Sequence, residues 1–81
     1  MRYLVVEDVA ERMGVSVRTV HERTRRGEIP HRVLPFARRC LFEEEWLQQW
    51  ADGAELERVD LAGGGRIVRP VGAAEPMGRV G

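Results

Sequence analysis

The chain has 81 residues, with 13 basic and 13 acidic side chains, two His and a single cysteine, Cys40. A chain this short is one small domain that buries roughly 60 % of its unfolded surface, too little for a large enclosed catalytic cavity. One cysteine excludes an internal disulfide framework, and no apolar run is long enough for a membrane span or a secretory signal, so a cytoplasmic location is expected.

The first predicted element is a short amphipathic helix over Val6–Met13. Val6, Val9, Ala10 and Met13 share a face, and Glu7 and Asp8 suit the positive end of the helix dipole. Gly14 stands where a left-handed C-terminal residue belongs, and Ser16 offers the N-cap of a second helix running from about Val17 to Arg26. Val17, Val20 and Thr24 of that helix point at the first. Arg18, Thr19, Glu22, Arg25 and Arg26 fall on the outer side, with His21 and Arg23 at the borders. Two helices joined by a tight Gly-containing turn, the second with an Arg-rich outer face, are the layout of a helix-turn-helix.

After Pro30 the pattern turns to strands. Residues 31–34 and 39–42 read as a hairpin with basic edges around Pro35-Phe36-Ala37-Arg38, with Phe36 folding back on the core. Glu43-Glu44-Glu45 then opens a third helix that stops near Gly53, with an apolar stripe of Trp46, Leu47 and Trp50. Residues 55–61 and 66–71 flank Ala62-Gly63-Gly64-Gly65 as a second hairpin, which needs its own domain or another chain to lean on. Residues 72–81 are rich in Gly, Ala and Pro and are expected to be disordered.

The zero net charge hides a pattern. All 13 basic residues are Arg. Residues 1–39 hold nine Arg against five acids, a net of +4. Residues 40–60 hold one against seven, a net of −6, and residues 61–81 hold three against one. A basic front and an acidic middle cancel, which suggests one side for phosphate and another for protein. A G+C-rich coding sequence also favours Arg. Even so, its planar fork suits phosphates and guanine edges better than an ammonium does.

Helix, turn, helix, two-stranded wing and closing helix resemble the excisionase family of recombination directionality factors. That fold is shared with mercury-resistance-type regulators. The resemblance rests on Tyr3-Leu4, Val9-Ala10, Gly14-Val15-Ser16, Arg18-Thr19-Val20, Arg25-Arg26-Gly27-Glu28-Ile29-Pro30, Arg38-Arg39 and Trp46-Leu47, across residues 2–52. Three positions depart from it: Val6 at the first helix cap, Arg23-Thr24 where apolar residues are usual, and Phe36 at the wing tip.

The expected fold class is mainly α with a small β-hairpin wing, a compact winged helix-turn-helix with a candidate second C-terminal hairpin. Residues 1–53 form the DNA-binding domain, 54–71 an extension and 72–81 a tail. The resemblance implies double-stranded DNA as partner, with the second helix in the major groove and the wing on the minor groove or backbone. The DNA-binding candidates are Ser16, Arg18, Thr19, Glu22, Arg23, Arg25, Arg26, Arg32, Arg38 and Arg39. Arg18 suits guanine O6 and N7, and Glu22 suits cytosine N4, unless the two form an intrahelical ion pair. Arg25 and Arg26 suit phosphates or the negative helix terminus, and the wing arginines suit a narrow minor groove or plain solvation.

Cys40, His21 and His31 lack paired ligand spacing, and Cys40 reads as a small buried strand residue. The Gly loop lacks the Lys-Ser/Thr of a phosphate loop. No metal, cofactor or enzymatic activity is expected. The resemblance implies a protein that binds attachment-site DNA and steers an integrase towards excision, with integrase and neighbouring copies as protein partners. The alternatives are a transcriptional regulator built on the same module, or a module that binds only protein.

Overall fold

A computed structural model describes residues 2–36 and 39–73. Its elements in chain order are β1 (Tyr3–Leu4), α1 (Val6–Met13), α2 (Val17–Arg25), β2 (His31–Val33), β3 (Cys40–Glu43), α3 (Glu44–Ala51), β4 (Leu56–Asp60) and β5 (Arg66–Pro70). The strands form one antiparallel sheet in the order β1-β3-β2-β5-β4. The expectation of a mainly α protein is therefore corrected to a mixed α/β globule of three helices and a five-stranded sheet. The extra β content comes from β1, which the sequence pattern did not reveal, and from the union of the two hairpins.

That union is long-range. β5 pairs with β2 through His31↔Val68, Arg32↔Ile67 and Val33↔Arg66, so the C-terminal hairpin leans on its own chain. The glycine loop adds a second attachment. A Cβ on Gly65 would lie 2.5 Å from the Val33 carbonyl oxygen and 2.9 Å from Pro35. Gly65 is thus the residue that lets the loop seat against the end of β2 and the start of the connection that follows it.

β3 is split between two partners. Cys40 and Leu41 pair with β2, whereas Phe42 and Glu43 pair with β1. Glu43 consequently ends the strand, and α3 starts at Glu44, one residue later than the acidic run suggested. β1 brings Leu4 beside Phe42, and both are buried with Val9, Ala10, Val20, Ile29 and Leu47 in the main core.

The helix-turn-helix unit is secured at each end. At α1 the residue before the helix is Val5, not Val6. Val5 has no side-chain acceptor, and its N–H donates to Asp8 Oδ2 at 3.4 Å instead. Gly14 closes the helix at φ 72°, with its N–H on the Glu11 carbonyl and the Val15 N–H on Ala10. That is the Schellman arrangement, and it places Val15 against the core. Ser16 then caps α2: its hydroxyl accepts from the Thr19 N–H at 3.1 Å and donates to Thr19 Oγ1 at 3.0 Å. α2 ends by the same device, with Gly27 at φ 76°, Gly27 N–H on Thr24 and Glu28 N–H on Arg23.

Two side-chain placements differ from the sequence reading. Phe36 is 86 % exposed and does not fold back on the core. Cys40 is only half-buried. The expected disorder of 72–81 falls mostly outside the described residues. Within them, a turn follows β5, in which the Ala73 N–H reaches the Pro70 carbonyl.

Candidate nucleic-acid interface

α2 buries Val20 and Thr24 and presents Arg18, His21, Glu22, Arg23 and Arg25 to solvent, followed by exposed Arg26 at its C-cap. Arg18 and Glu22 form an i,i+4 pair with Nε and Oε2 3.6 Å apart, and the Arg18 side chain is 88 % exposed. A pair so open to water is worth a few tenths of a kcal/mol and leaves the guanidinium free to exchange partners. Arg23, Arg25 and Arg26 have no carboxylate partner among the described residues. Ser16 spends its hydroxyl on the helix cap and on Thr19, whereas the Thr19 hydroxyl accepts from Ser16 and keeps its own O–H to donate.

The candidate residues of the hairpin divide. Arg39 is exposed at the start of the β3 arm, and Arg38 lies outside the described residues. Arg32 is placed elsewhere. Its Nη2 donates to Glu43 Oε2 at 3.0 Å, the two side chains being 17 % and 5 % exposed. Its guanidinium carbon also lies 5.1 Å from the Trp46 ring centroid. Strand alternation explains this: Arg32 shares a sheet face with its neighbours Leu41 and Ile67, the face on which Trp46 is found.

The acidic run is absorbed in the same way. Glu43 holds Arg32, and Glu44 holds Arg12 at 2.7 Å and Arg2 at 3.8 Å. The Arg12 guanidinium, through its hydrogen bond, holds the Glu44 carboxyl below its ordinary range. Farther on, Glu57 pairs with Arg69 and Asp60 with Arg58. The acids of the middle segment mostly serve internal pairing, so they do not form the free acidic face that segment charge suggested.

Between α2 and β3 runs a cleft of about 510 Å³. Arg25 and His21 stand on its helix wall, Arg39 and Cys40 on its strand wall, and Arg66 of β5 also lines it. A shallower hollow on the outer face of α2 is lined by Val17, Arg18, His21, Glu22 and Arg25. Cleft and hollow share His21 and Arg25, so they are continuous across one helix ridge. Burial pushes the Cys40 thiol up, only partly offset by Arg66.

Arg66 is the residue that sequence reasoning missed. Its Nε–H donates to His31 Nε2 at 2.9 Å, and its Nη2 lies 3.4 Å from the Thr24 carbonyl. Because Nε2 faces a donor, the proton of His31 sits on Nδ1 and is given to the Ile29 carbonyl at 2.7 Å. Desolvation is the main cause that lowers the His31 pKa, with the Arg66 and Arg58 charges adding to it. The one signal in the sequence was the strand alternation of 66–70, which puts Arg66 and Val68 on one face. Only the β2–β5 register shows that His31 shares it.

A family described as a helix-turn-helix domain matches residues 3–55. The chain belongs to that helix-turn-helix family. The match runs from β1 past the end of α3 and leaves β4 and β5 outside. A helix-turn-helix domain makes DNA the expected partner and is typical of proteins that are not enzymes. No curated protein and no solved structure matches the chain. Among the described residues, no helix is long and apolar enough to cross a membrane.

Proposed function

We propose that this helix-turn-helix protein binds double-stranded DNA sequence-specifically, with α2 in the major groove and the β2–β3 hairpin as a wing on the adjacent backbone or minor groove. The observation that carries the reading is the exposed face of α2. There Arg23, Arg25 and Arg26 stand without carboxylate partners among the described residues, and Arg18 is held only by a weak surface pair. An uncompensated guanidinium row on a capped, core-anchored helix is suited to phosphates and to the O6 and N7 edge of guanine.

Arg18 and Glu22 read base edges, Arg23, Arg25 and Arg26 meet phosphates, and Arg39 and Arg38 serve the wing. Ser16 and Thr19 fix the start of the helix. Arg32 is left out of the interface, because its charge is spent on Glu43. The resemblance of residues 2–52 to excisionases extends the proposal to a recombination directionality factor, which binds attachment-site DNA and turns an integrase towards excision.

Footprinting across the intergenic DNA that flanks the coding sequence tests the binding. A protected site is expected, and Arg18→Ala combined with Arg25→Ala removes it without unfolding the chain. Undiminished protection by that variant overturns the assignment of α2. An excision assay with an integrase encoded beside it tests the finer role, which fails if no such integrase is found or if recombination proceeds equally without the protein.

A further inference from the structure

We propose that the cleft between α2 and β3 is a phosphate seat, in which Arg66 on the C-terminal hairpin grips one DNA phosphodiester together with Arg25 and Arg39. The proposal rests on the DNA-binding reading above and adds a contact from outside the helix-turn-helix match, which ends at residue 55.

Arg66 is half-buried, yet no carboxylate lies within ion-pair distance of it among the described residues. Asp60 stands opposite it in the β4–β5 ladder but bonds Arg58 at 3.0 Å instead. Glu7 is the one acid on the cleft lining, against Arg25, Arg39 and Arg66. A partly desolvated cation with no counter-charge, facing an open cleft, is a site for an anion.

The guanidinium is also oriented. His31 accepts at Nε and the Thr24 carbonyl accepts at Nη2, which engages two of the five N–H groups. The other three are available on a side chain whose direction is already set, and a tetrahedral phosphate oxygen pair suits such a fork. His31 is fully buried, so it is a positioning residue and does not itself reach a ligand. Thr24 also lines the cleft, and its Oγ1 is buried without a hydrogen-bond partner among the described residues.

The occupant follows from continuity. His21 and Arg25 border both the cleft and the hollow on the outer face of α2. A strand whose bases are read by α2 therefore passes its backbone over the mouth of the cleft, where Arg39 meets it from the hairpin side. The C-terminal hairpin thereby contributes to binding through Arg66 as well as to the sheet.

The test measures binding of a random-sequence 20-base-pair duplex as a function of salt for the wild type, Arg66→Gln, Arg66→Lys, Arg39→Gln and the double Gln variant. Loss of one phosphate contact lowers the slope of log K against log salt by about 0.9. Arg66→Gln and Arg39→Gln should each lower the slope by part of that decrement, since the remaining arginines still reach the same phosphate. The double variant should lower it by all of that decrement, with unchanged circular dichroism, and Arg66→Lys should keep most of the slope. A wild-type slope in both Gln variants overturns the seat while leaving DNA binding intact. Should Arg66→Gln fail to fold, exposed Arg39→Gln and charge-conserving Arg66→Lys decide the matter.

Should the wild type bind no duplex at low salt, the DNA reading fails by itself. Thermal shift with inorganic phosphate then decides the cleft. Stabilisation of the wild type that Arg66→Gln lacks makes it a site for free phosphate, and no stabilisation overturns it.

Discussion

The arginines of α2 and those of the sheet have the same side chain and opposite fates. Arg32, Arg58 and Arg69 on the strands each hold a carboxylate at 2.9–3.0 Å, and Arg32 is also stacked on Trp46. Arg23, Arg25 and Arg26 face solvent with no such partner among the described residues. Arg32 and Arg69 find their acids because pairing brings a neighbouring strand within reach, Glu43 from β3 and Glu57 from β4, and Arg58 finds Asp60 along its own strand. The outer face of α2 is exposed among the described residues, so apart from the Arg18–Glu22 pair its charge stays uncompensated. Charge on Arg32 and Arg69 therefore belongs to the sheet's own pairing, whereas charge on α2, like that of Arg66 at the cleft, is left for a ligand.

The sharpest way to break that contrast is Glu43→Ala. It leaves the Arg32 guanidinium buried on Trp46 with no counter-ion, a loss of about 3–5 kcal/mol. Total stability for a chain of this size is only about 4–12 kcal/mol. A thermal melt followed by circular dichroism should show a drop of at least ~12 °C. A melt within a few degrees of wild type would mean that the pair is not buried as described.

Gly65→Ala tests the hairpin that carries Arg66 and Arg69. Its Cβ would meet the Val33 carbonyl at 2.5 Å, and forcing that space open costs about 1–3 kcal/mol. Urea titration should show a lower midpoint, and hydrogen exchange should show faster opening of β4 and β5.

His31 links the two regions and makes stability depend on pH. Its folded pKa lies below the ordinary 6.5, so below pH 6.5 the unfolded chain binds more protons and stability falls as pH falls. The steepest possible decline is about 1.4 kcal/mol per pH unit. It ends once the pH passes below the folded pKa. Glu44 behaves likewise in a separate window, since its stabilisation is lost only as pH falls below the ordinary 4.5. Melts between pH 7.5 and 5 should slope for the wild type and flatten for His31→Gln.

Ser16→Ala removes the α2 cap and should cost about 1 kcal/mol. Smallest in stability is Arg25→Ala with Arg26→Ala, within about 0.5 kcal/mol of wild type by denaturant titration. The same double variant should give a clear loss of duplex affinity in an anisotropy assay. A stability loss comparable with that of Glu43→Ala would erase the distinction between the two arginine sets.

Local order was readable residue by residue. Val6–Met13 and Val17–Arg25 follow from apolar spacing, and their ends follow from Gly14, Ser16 and Gly27, because caps and periodicity act within one or two turns. Both hairpins were visible as strand patterns around turns. The surface position of Arg18, Arg25 and Arg26 came from the same wheel.

What only the tertiary structure decided is which of these pieces meet. The β2–β5 register joins residues about 35 apart, turns two hairpins into one sheet and brings Arg66 to His31. Ion pairing converts the acidic stretch from a free face into counter-ions for Arg2, Arg12 and Arg32. Counted along the chain, the charges separate into a basic front and an acidic middle. Counted in space, many of them neutralise one another within 4 Å, because Coulomb attraction and desolvation depend on distance and burial rather than on sequence order. The sequence by itself therefore determined the helix-turn-helix and its outward arginines. Folding determined which arginines remained uncompensated.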